Sequence, residues 1–523
     1  MLHLSDKRIL LLIVFFVLAR FSSAQITSMH DNQLWLKADK ALEYGNYPAA
    51  LEIYQKLHAL DSTNEEINYK LGLCNFNIRS LKMQSKKYFD KVNPEHFPET
   101  NYYLGRLNHL LREDDKAIAC YTHYKESKSA DKEHSTKEIN DLISKSYNAM
   151  LFEGKKDNNI QIENLGSTIN TEYAEYAPLI PIQEDFLIFT SRRKNDVHKN
   201  KDPLGEYFED IYMSTKFGDT WQYPVMLDTN INTPLHDACT GLSADGEKLL
   251  IYRTSPDLSG GDIYESTFEL NKWGTPVILN TSVNSPDYVE TSACYSPDNN
   301  TIFFSSNRPG GYGGKDIYMI KKLPNGKWGN PFNLGPTINT EYNEDAPFVH
   351  PSGNILFFSS EGHKNMGGYD VFKSNFDDAG NFTEPENLGY PINTRDDDIF
   401  FVLNKDATAG YFSSEREGGF GSQDIYKVTF SPNPLPLNVY SAHVFDDKNN
   451  IIKKVELVMT DPSGKKIYGI YKSNDQTGKI VVISEPNKEY QITLKAVGYE
   501  PFTTNVVLNS DNELSYTLIN RVR

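Results

Sequence analysis

Five copies of an Asp-Ile-Tyr-type word, spaced 52, 54, 54 and 54 residues apart, constrain the fold of this chain more than any other feature. They are Asp210-Ile211-Tyr212, Asp262-Ile263-Tyr264, Asp316-Ile317-Tyr318, Asp370-Val371-Phe372 and Asp424-Ile425-Tyr426. An Ile-Asn-type word recurs with them, and its asparagines are Asn170, Asn232, Asn284, Asn339 and Asn393. Turn signals and runs such as Ile302–Ser306 divide each unit into four short strands. Four strands in a repeat of roughly 40–55 residues predict a β-propeller, here with five blades.

The sequence also predicts how the blades close. Each unit ends in an outer strand of the form Pro-x-x-Leu, as at Pro276–Leu279 and Pro331–Leu334, but after the fifth word the chain leaves the pattern at Ser431. The missing outer strand is predicted ahead of the first blade, at Ile160–Leu165. A last blade that takes a strand from the start of the repeat leaves no open sheet edge.

The repetition indicates architecture rather than a catalytic signature. We predict that the Asp of each word (Asp210, Asp262, Asp316, Asp370, Asp424) hydrogen-bonds a loop backbone or a nearby Arg, and that the repeated asparagines are structural as well. The words resemble those of the PD40 (WD40-like, TolB-type) propeller family. The resemblance implies a propeller domain over residues 160–432.

Acidic and basic residues recur once per unit and admit two interpretations. The acids are Glu175, Asp237, Glu290, Glu344 with Asp345, and Asp396-Asp397-Asp398; the bases are Arg192, Arg193, Arg253, Arg308, His363 and Arg416. A hydrolase would use two carboxylates as acid and base or nucleophile. Pairing of an acid with an Arg in every blade explains the same pattern without a special site, and we favour it. A calcium loop at Asp396–Asp398 lacks the required ligand spacing. We therefore predict no catalytic residue, cofactor or metal.

One basic insertion breaks the repeat. Nineteen positions separate Ser191 from Asp210, against ten from Ser306 to Asp316. Its cations form a candidate partner-contact loop, and they are Arg192, Arg193, Lys194, His198, Lys199 and Lys201. A solvated surface loop is the alternative.

The sequence before the propeller reads as helical. Ala38-Asp39, Leu71-Gly72 and Leu104-Gly105 are spaced 33 residues apart. A period near 34, with small residues where helices cross, is typical of tetratricopeptide (TPR) repeats. Residues 25–150 resemble three such repeats, an α-solenoid whose concave surface holds another protein. The alternative is that these helices only cap the propeller.

A short proline linker (Pro432, Pro434, Pro436) leads to a third domain, residues 437–523. Six strands are predicted at Val439–Phe445, Lys454–Thr460, Ile467–Ser473, Gly478–Ile483, Tyr490–Ala496 and Thr503–Leu508. The segment Tyr490–Tyr499 resembles the carboxypeptidase regulatory-like (transthyretin-like) β-sandwich, which implies spacing or docking.

The N-terminus and the charge indicate where the protein works. Lys7 and Arg8 precede the apolar run Ile9–Ala19, and small residues lead to Ala24, which predicts a signal peptide at residues 1–24 and export to the periplasm. Eleven apolar residues are too few for a membrane anchor. The formal charge of −17 disfavours nucleic acid and favours a basic or neutral partner. The four cysteines show no CxxC spacing; we expect buried thiols with at most one disulfide.

The order of these domains resembles the PorE-like family of periplasmic proteins of the type IX secretion and gliding machinery. The resemblance implies a non-enzymatic adaptor, peripheral to the membrane, with envelope partners such as a PorP/SprF-like outer-membrane barrel, an OmpA-type protein or secretion components. That family continues into an OmpA-type domain, whereas this sequence ends at Arg523, so peptidoglycan anchoring is not implied. The alternatives are a glycan-binding or hydrolytic propeller with its ligand at the channel mouth and a TolB-like translocation adaptor.

Overall fold

A computed structural model describes residues 32–127, 133–377, 380–405, 407–431, 438–474, 477–485, 487–508 and 514–517. The predicted signal peptide and the proline linker lie outside the described residues. The chain forms two compact units. The first contains the helices up to Ile143 together with Lys201–Glu206, and the second contains Ser144–Asn200 and the chain from Tyr207 onward.

The first unit is helical. Its elements are α1 (residues 32–43), α2 (Tyr47–Leu60), α3 (Glu65–Asn77), a 3₁₀ helix (Arg79–Ser85), α4 (Lys86–Phe89), α5 (Glu99–Leu110), α6 (Asp114–Glu126) and α7 (Thr136–Glu153), and the division between the units falls inside α7. Asparagine caps start two of these helices: the side chain of Asn46 accepts the Ala49 N–H, and that of Asn64 accepts the Ile67 N–H.

Small residues meet aromatic rings where these helices cross. A Cβ on Gly72 would overlap the ring of Phe89, and a Cβ on Gly105 would overlap the ring of Tyr121. Both rings are fully buried. The glycines therefore let neighbouring helices approach more closely than any larger residue would permit.

The second unit begins with five antiparallel sheets of similar design. Sheet 1 contains β2 (Glu175–Leu179), β3 (Phe186–Ser191), β4 (Asp210–Phe217), β5 (Thr220–Trp221) and β6 (Val225–Met226). Sheet 2 contains β7 (Asp237–Leu242), β8 (Lys248–Thr254), β9 (Gly261–Glu269), β10 (Lys272–Trp273) and β11 (Val277–Ile278). Sheet 3 contains β12 (Glu290–Tyr295), β13 (Thr301–Ser306), β14 (Asp316–Lys321) and β15 (Phe332–Asn333). Sheet 4 contains β16 (Glu344–Val349), β17 (Ile355–Ser360), β18 (Asp370–Asn375) and β19 (Glu386–Asn387).

Sheet 5 is assembled from both ends of this segment. It contains β20 (Asp398–Leu403), β21 (Ala409–Ser414), β22 (Asp424–Phe430) and, as its outer strand, β1 (Ile160–Asn164), which the short helix α8 (Gly166–Ile169) follows. Strand β1 pairs antiparallel with β22, from Ile160 opposite Phe430 to Asn164 opposite Tyr426. The strand predicted at Ile160–Leu165 thus completes the last sheet.

A backbone hydrogen bond of one kind joins four pairs of neighbouring sheets. The N–H of Asp237 in sheet 2 donates to the carbonyl of Glu209, at 3.0 Å, just before β4 of sheet 1. The same bond links sheet 3 to sheet 4 and sheet 4 to sheet 5. It also links sheet 5 back to sheet 1, where the Glu175 N–H donates to the Gln423 carbonyl at 2.7 Å. The five sheets are therefore propeller-like, with the last one joined to the first.

The C-terminal segment forms two further sheets. One has the order β26 (Ile480–Ser484), β23 (Asn438–Phe445), β29 (Leu514–Thr517), and the other has the order β25 (Ile467–Lys472), β24 (Glu456–Thr460), β27 (Glu489–Lys495), β28 (Phe502–Val507). Six of these strands lie within two residues of the predicted ones. Their shared core includes Tyr440, Leu457 and Ile492.

The four cysteines contribute thiols rather than disulfides. All four are free, and Cys74, Cys239 and Cys294 are buried. Burial raises the pKa of the Cys239 thiol to about 12. Such a thiol stays protonated at neutral pH and packs as a small apolar group.

Candidate functional site

One carboxylate per sheet is completely buried at the start of the innermost strand. The five are Glu175, Asp237, Glu290, Glu344 and Asp398, each with 0% exposed surface. In each sheet a Thr or Ser four or five residues earlier donates its backbone N–H to the carboxylate, as Thr171 does to Glu175 at 2.6 Å. These side chains fold the preceding loop onto the strand, and they are not open to a substrate.

An arginine completes this network in four sheets. The carboxylate–arginine pairs are Glu175–Arg193 (3.3 Å), Asp237–Arg253 (2.5 Å), Glu290–Arg308 (3.0 Å) and Asp398–Arg416 (2.8 Å). Each guanidinium also donates to a carbonyl of the Ile-Asn word, as Arg193 does to Ile169 at 2.6 Å. It lies over the ring of the Asp-Ile-Tyr word as well, 4.8–5.2 Å from the ring centroid. One cation therefore ties together three repeated sequence features.

Sheet 4 lacks this cation. The position equivalent to Arg308 is Gly362, whose N–H bonds the Ser360 hydroxyl as the Arg308 N–H bonds Ser306. A Cβ on Gly362 would overlap the side chain of Thr340. The next residue, His363, donates from Nε2 to the Ile338 carbonyl at 2.8 Å, where the arginines bind in other sheets. Burial raises the pKa of Glu344.

In all five sheets the side-chain amide of the repeated asparagine hydrogen-bonds both the N–H and the carbonyl of one strand residue, as a neighbouring strand would. Asn232 Oδ1 accepts the Ile211 N–H at 2.7 Å, and its Nδ2 donates to the Ile211 carbonyl at 3.0 Å. The other pairs are Asn170 with Ile425, Asn284 with Ile263, Asn339 with Ile317 and Asn393 with Val371.

The repeated aspartates have the same hydrogen-bond partners in sheets 3 and 5 and different ones in the other three sheets. Asp316 accepts the Tyr312 and Gly313 N–H groups and the Asn333 amide, and Asp424 has the same set of partners in sheet 5. Asp370 accepts on Oδ2, while its buried Oδ1 has no hydrogen-bond partner in the part of the chain that the structure describes.

The aspartates of sheets 4, 1 and 2 have three different environments. Burial raises the pKa of Asp370 to about 8. Asp210 pairs with His198 at 2.7 Å and with Asn195, and Asp262 is partly exposed.

Three of the six basic residues of the insertion form ion pairs inside the second unit. Arg192 pairs with Glu209 at 2.7 Å, Arg193 pairs with Glu175, and His198 pairs with Asp210. Lys194 and Lys199 are exposed, and Lys201 belongs to the helical unit. Sequence reasoning could not separate these groups, because the pairing depends on which cations the fold turns inward.

Two charged clusters at the sheet junctions were not identified from the sequence. Burial alone would raise the pKa of Glu209, but Arg192, His236 and Tyr176 hold it at about 2. Between sheets 3 and 4, Lys315 pairs with the buried Asp345 and outweighs the effect of burial, so the pKa of Asp345 is lowered. These residues occupy positions that vary from one repeat to the next.

The inner strands line a partly open, mainly apolar cavity of about 60 Å³. All five sheets contribute to its wall, including Leu179, Leu242, Cys294, Phe348 and Val402. Ile182 and Ala244, at its edge, pack against Val481 and Ile483 of β26. The C-terminal domain thus contacts the residues at this end of the cavity.

An acidic trio lies on the loops of sheet 5. Carboxylate oxygens of Asp396, Asp397 and Glu415 are within 4.8 Å of one another, a spacing that a metal ion could bridge. Asp397 Oδ1 accepts the Tyr369 N–H at 2.8 Å. The sequence prediction of no metal site stays a prediction.

Within the described ranges, no helix is long and apolar enough to cross a membrane.

Comparisons with known proteins give likeness at the level of fold. No protein-family model and no curated protein matches the chain. Among solved structures, a protein assigned as TolB from Agrobacterium tumefaciens is 17% identical (TM-score 0.28), with 52% of this chain and 98% of that chain covered. The β-propeller domain of the Trilobed protease from Pyrococcus furiosus is 8% identical (0.24; 65% and 84% covered), and a glycosyl hydrolase from Bacteroides ovatus is 12% identical (0.33; 51% and 86%). This chain is similar to propeller-containing proteins of several activities.

Proposed function

We propose that the protein is a non-enzymatic scaffold that binds other proteins in the cell envelope. The observation that carries this proposal is the structural role of the repeated carboxylates. All five are buried and hydrogen-bonded within their own repeat. A glycosidase needs two carboxyl groups about 5–10 Å apart in a cleft that the substrate can enter. Binding through surfaces needs no such pair.

On this proposal, the five propeller-like sheets form a five-bladed propeller and the helix pairs form three tetratricopeptide repeats. The recurrence of the same crossing, Gly72 on Phe89 and Gly105 on Tyr121, supports a helical repeat. Stacked helix pairs present a concave surface whose usual ligand is a peptide or a protein.

The order of the domains supports a PorE-like role in type IX secretion or gliding. The chain would be exported by its predicted signal peptide and act in the periplasm, peripheral to the outer membrane. Its partners would be envelope proteins such as a PorP/SprF-like barrel, an OmpA-type protein or secretion components.

The test is capture of partners by the tagged full-length protein in a cell that secretes through the type IX system. Crosslinked partners are identified for the wild type and for a Tyr44→Ser/Leu60→Ser variant, which changes two exposed apolar residues of the helical unit (71% and 65% exposed). We expect secretion or barrel components with the wild type and fewer with this variant. Val497→Ser, at a 96% exposed position of the C-terminal domain, is the matched control.

A wild-type protein that captures no protein but retains or hydrolyses a glycan would overturn the proposal. Equal capture by the wild type and by both variants would move the binding surface away from the helices.

A further inference from the structure

The loop side of sheet 4 is occupied by a helix of the same unit. Asn148 on α7 donates to the Asn365 carbonyl at 2.8 Å, and Glu153 forms two bonds of 2.9 Å with Arg395. Met366, the next residue of the contacted loop, is completely buried.

Sheets 3 and 5 carry equivalent loops with an exposed aromatic residue in place of Met366. Tyr312 and Phe420 each precede the repeated Asp by four residues, as Met366 does, and their N–H groups donate to that Asp at 2.6 Å. The Met366 N–H donates to Asp370 at 2.9 Å, which makes the three positions structurally equivalent. Both aromatic side chains are 51% exposed.

The backbone next to these two aromatic residues is tightly packed. A Cβ on Gly313 or on Gly421 would overlap backbone atoms of the following loop, at Tyr342 and Tyr173 respectively. Each loop is therefore packed backbone to backbone against its neighbour. An aromatic side chain has only two rotatable torsions and loses little conformational entropy on binding, which favours it as an interface anchor.

The charge beside these anchors is opposite to that in sheet 4. Arg395 directly follows the Thr that caps the carboxylate of sheet 5, and Glu341 and Glu172 follow the equivalent Thr residues. Both glutamates are exposed. The loop beside the Met366 loop of sheet 4 therefore meets the carboxylate of α7 with a cation, whereas the loops beside Tyr312 of sheet 3 and Phe420 of sheet 5 carry carboxylates.

We propose that the loops of sheets 3 and 5 form two equivalent docking sites for a basic amphipathic helix of a partner protein. Its apolar face covers Tyr312 or Phe420, and a Lys or Arg meets Glu341 or Glu172 where α7 carries Glu153. The formal charge of −17 favours the same partner. The inference rests on the proposed function in that the partner is a protein, and it adds the chemistry of that partner.

The probe is a stapled, fluorescein-labelled helical peptide with the sequence Ser144–Gly154 and the substitution Glu153→Lys. The native-sequence peptide, with glutamate at that position, is the matched control. Binding to the full-length protein is followed by fluorescence anisotropy. We expect the E153K peptide to bind more tightly than the control, and Tyr312→Ser/Phe420→Ser to weaken its binding at least about tenfold, as loss of two anchors would. Glu172→Lys/Glu341→Lys should reverse the preference, whereas Val497→Ser should change nothing.

Three results would overturn this inference: no binding of the E153K peptide, equal binding of both peptides, or binding that the aromatic substitutions leave unchanged. If the aromatic variant still captures envelope proteins in cells, only the docking site is wrong. If the wild type captures no protein at all, the proposed function fails with it.

Discussion

Sheets 3 and 4 are consecutive repeats with the same strand order, yet the residues at their repeated positions have different partners. Sheet 3 pairs its buried Glu290 with Arg308 and gives Asp316 three hydrogen bonds. Among the described residues, Glu344 of sheet 4 pairs with no cation and Oδ1 of Asp370 has no hydrogen-bond partner. Sheet 4 is also the one against which α7 packs. The repeat thus tolerates an incomplete ionic network where the chain itself adds another element.

Removing the buried carboxylate should show the largest difference between the two sheets. Glu290→Gln leaves the guanidinium of Arg308 buried without its counter-charge, and breaking a buried pair costs about 3 kcal/mol or more. Glu344→Gln leaves no cation behind and should cost about 1 kcal/mol, the value of a hydrogen bond. Calorimetric melting of both full-length variants checks this order.

An equal loss for the two variants would show that hydrogen bonds from Ser and Thr, rather than the arginine, hold these loops. Glu290→Asp, which keeps the charge but shortens the side chain, separates the loss of charge from the loss of contact.

Breaking the contact of α7 with sheet 4 should have the next largest effect. Arg395→Glu replaces the bidentate pair of Arg395 and Glu153 with two carboxylates that repel each other. The side chain of Arg395 is only 5% exposed. We expect the last turns of α7 to exchange amide hydrogens faster by roughly tenfold or more, since removing one partner of a largely buried pair costs at least about 2 kcal/mol. Glu153→Arg in the same chain should restore much of the protection. Unchanged exchange in both variants would mean that Asn148 and the apolar contacts hold the helix.

Much of this architecture could be predicted from the sequence because the repeat is local and periodic. The spacing of the Asp words predicts the strands, and the run at Ile160 predicts the closing strand β1. The sequence names His363 as the basic residue of sheet 4, but it could not show that this ring binds the Ile338 carbonyl without pairing with Glu344, because that depends on how far the side chain after Gly362 reaches in the folded loop. The cluster around Glu209 and the contact between Glu153 and Arg395 were also missed, since each joins residues that no sequence pattern relates.

The change in melting temperature caused by replacing Asp370 should depend on pH differently from the change caused by replacing Asp316. The folded-state pKa of Asp370, about 8, lies above the ordinary value of 3.8, so wild-type stability falls as pH rises from about 4 through 8. Asp370→Asn removes this titration, so its melting temperature relative to wild type should improve between pH 6 and pH 9. Asp316→Asn should destabilise at both pH values, because the carboxylate loses N–H partners that an amide nitrogen cannot replace. A parallel response of the two variants would contradict the difference between the sheets.

The smallest expected difference concerns two equivalent serines on the second strands. The Ser305 hydroxyl of sheet 3 donates to the Glu344 carbonyl of sheet 4 at 2.7 Å, whereas the buried Ser359 hydroxyl of sheet 4 has no hydrogen-bond partner among the described residues. Ser305→Ala removes a buried hydrogen bond between sheets and should cost about 1 kcal/mol. Ser359→Ala removes a buried polar group that gains nothing and should be neutral or slightly stabilising. Thermal melting of the two variants side by side measures this difference, and a larger loss for Ser359→Ala would show that its hydroxyl has a bonding partner in solution, such as a bound water.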